Sequence, residues 1–455
     1  MTTDPAPVVL APGLRSKVRA ACSSTTVRQA ASFALSSMVL GGLGMATSAV
    51  LARALTVDDY ASYSFSKQVL LFTAMFFEFG LFLPAARRAA AAGTDVTERR
   101  RVTGAAAMLF VPVAVAFALT VHVLSWGVDA FFGVQAGPSL RLVALASMGY
   151  PLDFVCLQLA QGLGRLHSYS VAAVSSKVCC LVVLATMVAS GVRLTSSGVL
   201  LAEALFLLAG WVTLLAYLRP LFGGLRDALT CLVRDARDYA FSAYVGRVLS
   251  MGTYHMDTLM LGALSDPRSF ACYMIALSLA YTVGLPGSGL ATALFARLAV
   301  QPCLQARWIA AVLAVSALPA LVLSAAAEPL VRLVFSSAFL PAAHLIPVVA
   351  AAQLINAVTR LFNTFLAAHA LGKDLRAAAI ALTVSNLVLN VILIPWFGAA
   401  GAAWASVVAL SVNLFVHVVR YRRAVTGRAG TVLAGEVAAA AGGTAGRCQD
   451  ETTGR

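Results

Sequence analysis

The chain is 455 residues long, 60% hydrophobic and only 11% charged, with a mean hydropathy of +0.86. A soluble globular chain carries about 25% charged residues, so this composition excludes a soluble domain and predicts a polytopic membrane protein. The net charge of +14 is no sign of a nucleic-acid partner, because its distribution follows membrane topology.

Residues 1–29 read as a cytoplasmic N-terminal segment. They are no cleavable signal: the first apolar run is short and broken by Arg15, Lys17 and Arg19. A span needs roughly 20 largely apolar residues. Twelve candidates follow in order, at 30–52, 66–86, 103–125, 139–161, 168–190, 197–218, 239–263, 270–296, 307–326, 342–368, 376–396 and 400–420. They predict an N-terminal six-helix lobe (30–218), a cytoplasmic linker (219–238), a C-terminal six-helix lobe (239–423) and a disordered tail (424–455) of Gly, Ala and Thr.

Ionisable groups inside spans are costly and mark candidate sites, although polar contacts also glue helices together. Span one has a small-residue face, SSMVLGGLGMATS, suited to close packing. Span two carries Glu78. Span four carries Asp153, with Tyr150 a turn earlier and Gln158 and Gln161 beyond. Glu203 in span six reads as reaching the outer interface, and His122 and His417 read as packed or interfacial.

Span seven has a polar face. With Arg247 at zero, Tyr254 lies near −20°, Tyr244 near +60° and Asp257 near −80°, at about 100° per residue. Span eight reads YTVGLPGSGLATALF. Its Gly284, Pro286, Gly287 and Gly289 suit a hinge, and equally suit close packing. Span ten carries QLINAVTRLFN. Gln353, Asn356, Arg360 and Asn363 fall within about 80° of one another. Such a stripe is expected to be buried in protein or to line water.

The loops test this division. Of the 33 basic residues, 25 fall on the N-terminus, the even-numbered loops and the C-terminus, 6 on the odd-numbered loops and 2, Arg247 and Arg360, inside spans. Lys67 is counted among the odd loops and Lys177 among the even ones. The positive-inside rule then puts both termini in the cytoplasm. Residues 45–81 and 254–290 align without gaps, with 6 of 37 positions identical. Two halves of six spans would be parallel repeats about an axis along the membrane normal.

Eight cysteines are scattered without CxxC spacing, predicting no disulfide framework and no metal site. Neither GxxxxGK[ST] nor HExxH occurs. No cofactor is expected, and transport would run on an ion gradient, membrane potential or substrate gradient.

SAVLARALTVDDYASYSFSKQVLLFTAMFFEFGL resembles the first-to-second span signature of the bacterial polysaccharide exporters, the lipid-linked oligosaccharide flippases of the MOP (MATE-like) superfamily. Ala52-Arg53, Asp59-Tyr60 and Glu78 before Gly80-Leu81 carry the pattern, while Thr56 and Ala61 replace common glycines. MDTLMLGALSDPRSFACY, EPLVRLVFSSAFLPAAHLIPVVA and NLVLNVILIPWFGAAGAAWAS resemble later family stretches, so the likeness spans about residues 30–420. The resemblance implies an all-α membrane fold of two six-helix lobes around a central cavity. It implies alternating access, no enzymatic chemistry, and a substrate carried on undecaprenyl pyrophosphate.

On that reading Arg53, Arg247 and Arg360 are phosphate candidates, because the guanidinium fork suits phosphate. Gln353, Asn356, Asn363, Tyr244 and Tyr254 are sugar candidates. Glu78, Asp153 and Asp257 would pair the arginines or carry a coupling ion. Expected partners are the lipid-linked glycan, membrane lipids and a polysaccharide polymerase with its chain-length machinery, all at the bacterial inner membrane. Two alternatives stay open: an ion-coupled drug exporter of the same fold, and a polytopic polysaccharide-assembly enzyme. Short loops disfavour the enzyme, and intramembrane arginines disfavour a cationic drug.

Overall fold

A computed structural model describes residues 25–77, 82–132, 135–223, 225–235, 244, 255–299, 301–369 and 371–445. Glu78, Arg247 and Tyr254 lie outside the described residues. Everything described is helix, turn or irregular chain. The N-terminal helices are α1 (Thr25–Ala54), α2 (Val57–Phe76), α3 (Leu83–Ala91), α4 (Val96–Phe131), α5 (Gly137–Val143), α6 (Gly149–Gly162), α7 (Leu166–Ala189), α8 (Ser196–Tyr217) and α9 (Leu225–Asp235). The C-terminal ones are α10 (255–264), α11 (Pro267–Ala293), α12 (Ala306–Ala325), α13 (Ala342–Ala368) and α14 (Gly372–Ala445).

Local chemistry starts these helices where the chain turns. Thr56, Asp95, Thr195 and Asp266 are N-caps whose side chains accept backbone N–H groups of the following turn. Gly398, at φ 53°, breaks α14 into two arms. Only glycine takes that conformation without a Cβ penalty. Three residues on, a Cβ at Gly401 would run into the Leu393 carbonyl, so the two arms close tightly there.

Eight helices among the described residues are long and apolar enough to cross a membrane, or nine if the pair α5–α6, bent by 75°, is one span. The bend falls in predicted span four, at a 3-10 turn over Ala146–Met148. Helix α6 restarts with Pro151 in its first turn, where the missing N–H leaves no intrahelical bond unmade. The two arms of α14 match predicted spans eleven and twelve, while span seven is described only from residue 255. Helix α9 falls inside the predicted linker, and Leu229 and Leu232 pack it onto the core of the N-terminal bundle. Helical backbone runs on to Ala445, past the point where composition predicts a disordered tail. That run is alanine-rich, and alanine is the strongest helix former.

Helices α11 and α13 are the central ones, with 67% and 61% of their apolar windows buried, against 17% to 33% for the other candidate spans. The outward faces of the rest expose Leu119, Val123, Leu318, Leu321, Val391 and Ile392. In water such a surface is untenable; in lipid it is the expected exterior.

Contacts between loops sort the two ends. Arg99 donates to the Leu163 carbonyl, Arg100 Nε to the Arg219 carbonyl (2.7 Å), and Arg165 to the Tyr217 hydroxyl (3.1 Å). These tie the predicted second, fourth and sixth loops together. In the other half, Leu304 N donates to the Tyr421 hydroxyl (2.9 Å) and Arg420 meets Asp374 (3.3 Å). The eighth and tenth loops therefore sit beside the end of the last span. The even-numbered loops of each bundle share an end, as the alternation of basic residues predicts.

Two predicted positions need correction. Lys67 stands eleven residues into α2 counting from Val57, and Lys177 stands mid-way along α7. Neither is a loop residue. Helix α2 starts well before the apolar run does, because its first turns carry Asp58, Asp59, Tyr60, Ser62 and Ser64.

Candidate functional site

Helix α11 packs on α1 and α2, joining the two bundles. Aromatic rings close one end of this junction. Tyr60 meets Phe339 edge-on with centroids 5.5 Å apart, and Phe65 meets Phe270 at 5.7 Å. Arg53 sits at the same end. Its guanidinium donates to the carbonyls of Leu333 and to that of Val334 (3.0 Å), in the single π-helical turn Val331–Phe335. The predicted first and ninth loops meet at this end. The structure thus gives Arg53 a bridging contact between bundles, apart from the residues that line the cavities.

Inside the junction lies a cleft of about 290 Å³. Helix α1 gives it Gly41, Gly44 and Ser48; α2 gives Tyr60, Tyr63, Ser64, Lys67 and Gln68; α11 gives Ser278, Tyr281 and Leu285. Hydroxyls and one amide share the wall with apolar side chains, and Lys67 is its one charged side chain among the described residues.

A second chamber of about 250 Å³ lies within the N-terminal bundle. Lys67, Lys177, Glu203, Asp153, Tyr150 and Trp211 are among its lining residues. Glu203 is almost wholly buried, with 5% of its side chain exposed, and two ammonium groups meet it. Lys67 Nζ lies 2.7 Å from Oε2 and Lys177 Nζ 2.9 Å from Oε1. The Tyr63 hydroxyl also donates to Oε2 (2.7 Å) and accepts from Lys67 (3.0 Å). A buried carboxylate is tolerable only when paired and hydrogen-bonded, and Glu203 has three donors. The expectation that it reaches the interface is therefore overturned: α8 turns Glu203 inward toward α2 and α7. Asp153 accepts from the Tyr169 hydroxyl (2.7 Å), and that ring stacks on Trp211 at 4.9 Å.

The C-terminal bundle holds a small cavity of about 40 Å³, lined by Asp257, Tyr273, Gln353, Asn356, Asn386 and Ser406 among others. That is room for about one water. Asp257 is buried and accepts from Tyr273 (3.0 Å), Ser406 (3.3 Å) and the Thr258 backbone N–H (2.7 Å). Here the structure brings together residues that the sequence places on spans seven and ten.

The stripe on α13 is divided. Gln353 and Asn356 line the Asp257 cavity, while Asn363 lies 3.3 Å from the ring of buried His417. Arg360 is exposed, and its side chain has no hydrogen bond or ion pair among the described residues. Tyr244 donates to the Phe76 carbonyl (2.8 Å), placing it against the end of α2. At Gly284 a Cβ would lie 3.1 Å from Gln353 Oε1, and at Gly287 one would lie 2.8 Å from Ala357 Cβ. Gly289 has open space around it. Helix α11 runs unbroken through Pro286. The glycines at 284 and 287 thus allow α13 to approach.

Sequence reasoning missed Lys67, Lys177, Tyr63 and Glu203 as a group. One signal was available. The chain has 29 arginines and 4 lysines, and two of those lysines lie on one buried carboxylate.

With the geometry established, comparison with known proteins places the chain. The polysaccharide biosynthesis protein family matches residues 26–298, more than half of the sequence. The chain belongs to this family. A relative in Haloferax volcanii, named "Probable low-salt glycan biosynthesis flippase Agl15", is 30% identical over 252 residues, which is 51% of this chain and 52% of the relative. The chain thus spans about half the length of the curated relative that it matches.

Solved structures give the fold of this polysaccharide biosynthesis protein. The lipid II flippase MurJ in an inward closed conformation aligns with a TM-score of 0.67 at 13% identity, over 86% of this chain and 87% of that one. An inward-facing MATE-family multidrug transporter of the MOP superfamily aligns with 0.66 at 12% identity, over 85% and 95%. The chain is an all-α, multi-pass membrane protein of the MATE-like MOP fold.

Proposed function

We propose that the chain is a flippase. It moves an undecaprenyl-pyrophosphate-linked oligosaccharide from the cytoplasmic to the outer leaflet by alternating access, for cell-surface polysaccharide assembly. The observation that carries this reading is the cleft between α1, α2 and α11. Hydroxyls, an amide and one ammonium group line it, inside a bundle whose exterior is apolar. Polar side chains at that depth are costly in hydrocarbon and are kept for a polar cargo. A cationic lining suits an anionic headgroup better than a cationic drug.

On this reading the aromatic contacts and Arg53 seal the outer end, and the cleft opens toward the cytoplasm, where both termini lie. Arg360 and Arg247 remain phosphate candidates. Gln353, Asn356, Asn363, Tyr244 and Tyr254 meet sugar once the bundles separate, since the Asp257 cavity now has room for about one water. Asp257, Asp153 and Glu78 serve charge pairing or ion coupling. The polymerase with its chain-length machinery takes the product on the outer side.

Deleting the gene and extracting lipids tests this. The expected result is accumulation of undecaprenyl-linked glycan. Complementation with Arg360→Ala is expected to leave that accumulation unrelieved while the variant reaches the membrane in normal amount. An unchanged lipid pool with lost drug resistance would replace the flippase by a drug exporter.

A further inference from the structure

We propose that Lys67 is an anion-binding residue of the central cleft, taking a phosphate- or diphosphate-class group, and that Glu203 and Lys177 hold it ready. This deepens the flippase reading and rests on it for the identity of the cargo.

Lys67 occupies the wall between two spaces. It lines both the central cleft and the N-terminal chamber, whereas Lys177 and Glu203 line the chamber alone. Its side chain is 28% exposed, against 5% for Glu203. Two lysines share one carboxylate, so the group holds one ammonium more than Glu203 requires. Asp153, the other acid of the chamber among the described residues, pairs with neither lysine and accepts from Tyr169.

Removing one partner from a buried ion pair normally strands a charge. Here it does not. If Lys67 turns to an anion in the cleft, Glu203 keeps Lys177 at 2.9 Å and the Tyr63 hydroxyl at 2.7 Å. Lysine suits the task, with a flexible four-carbon stem and three rotatable donors. The cleft wall also carries the hydroxyl groups of Ser48, Tyr60, Ser64 and Tyr281. A diphosphate offers many acceptor oxygens to such a wall. Lys177 therefore acts as the substitute counter-ion that frees Lys67.

The test is binding by the full-length protein in nanodiscs of neutral phosphatidylcholine. Probes are undecaprenyl diphosphate, inorganic pyrophosphate, phosphatidylglycerol and uncharged undecaprenol. Lys67→Gln is expected to weaken undecaprenyl diphosphate by about ten-fold or more, the range of a charge-assisted hydrogen bond. It should leave undecaprenol unchanged, and Lys67→Arg should retain most of the affinity. Lys177→Gln should also weaken the diphosphate lipid, because Lys67 is then the one cation left on Glu203 among the described residues. Adding Glu203→Gln to Lys177→Gln should restore binding, which a purely structural role would not produce. These last two variants keep Lys67, so they decide the matter even if Lys67→Gln fails to fold.

Parallel loss of pyrophosphate and lipid diphosphate in Lys67→Gln supports the assignment for a free or lipid-borne diphosphate alike. Undiminished diphosphate binding by folded Lys67→Gln overturns it and leaves the flippase reading standing. A preference for phosphatidylglycerol over both diphosphates overturns it in favour of a bulk-lipid site. Failure of the wild type to bind any diphosphate removes both.

Discussion

Glu203 shows what one buried charge demands of its surroundings. Its carboxylate lies within the N-terminal bundle with Lys67, Lys177 and Tyr63 as donors. Truncation leaves two ammonium groups in the bundle without a counter-charge. Breaking a buried ion pair from one side costs about 3–5 kcal/mol. The lysines retain partial access to the cavities, so Glu203→Ala is expected to destabilise by the lower part of that range, about 3 kcal/mol. Thermal unfolding in detergent checks this, and Glu203→Gln should lose less because it keeps a hydrogen-bond acceptor. Sequence made the opposite reading of this residue plausible. A lone glutamate near a predicted span end usually reaches the interface, and its partners come from α2 and α7, some 140 and 26 residues away. Asp257 was more legible. It shares a polar face with its neighbours on span seven, and the structure gives it polar partners on α11 and the second arm of α14.

The spans were the most legible elements, because length and apolarity alone define them. Seven of the helices that qualify as spans fall on predicted runs one to one, and the eighth, α14, covers two runs that Gly398 separates. Helix α2 was less legible. Its first two turns are polar because they face the junction with α11 and the chamber, so hydropathy places the span start too late. The kink of span four is carried by a 3-10 turn that no apolar count detects. Sequence left the glycines of α11 open between hinge and packing, and substitution separates the two. A side chain at Gly287 meets Ala357 and Ser316, so Gly287→Val should destabilise by about 1–3 kcal/mol through overpacking. Gly289 has open space, and Gly289→Ala should stabilise by up to about 1 kcal/mol through helix propensity. Unfolding midpoints give both values. A hinge at 289 would instead show as lost transport with unchanged or raised stability.

At the scale of the whole molecule, two bundles meet through α1, α2 and α11, and the polar groups gather in three spaces near that junction. Family membership and the MATE-like fold set the architecture. The alternation of basic residues was legible because charge is expensive to translocate. The pairing of Glu203 with two lysines was not, because it depends on how α2, α7 and α8 rotate about their axes, which no single-sequence pattern fixes. The proposed flippase would move a polar headgroup through this architecture while its lipid tail stays in the bilayer. The direct measurement is flipping in proteoliposomes. A fluorescently labelled undecaprenyl-diphosphate oligosaccharide is incorporated in both leaflets, and a membrane-impermeant quencher is added outside. The purified protein should render nearly all of the label accessible, while protein-free vesicles protect about half, the share in the inner leaflet of a symmetric bilayer. Protection of that half in the presence of correctly folded protein would contradict the flippase reading.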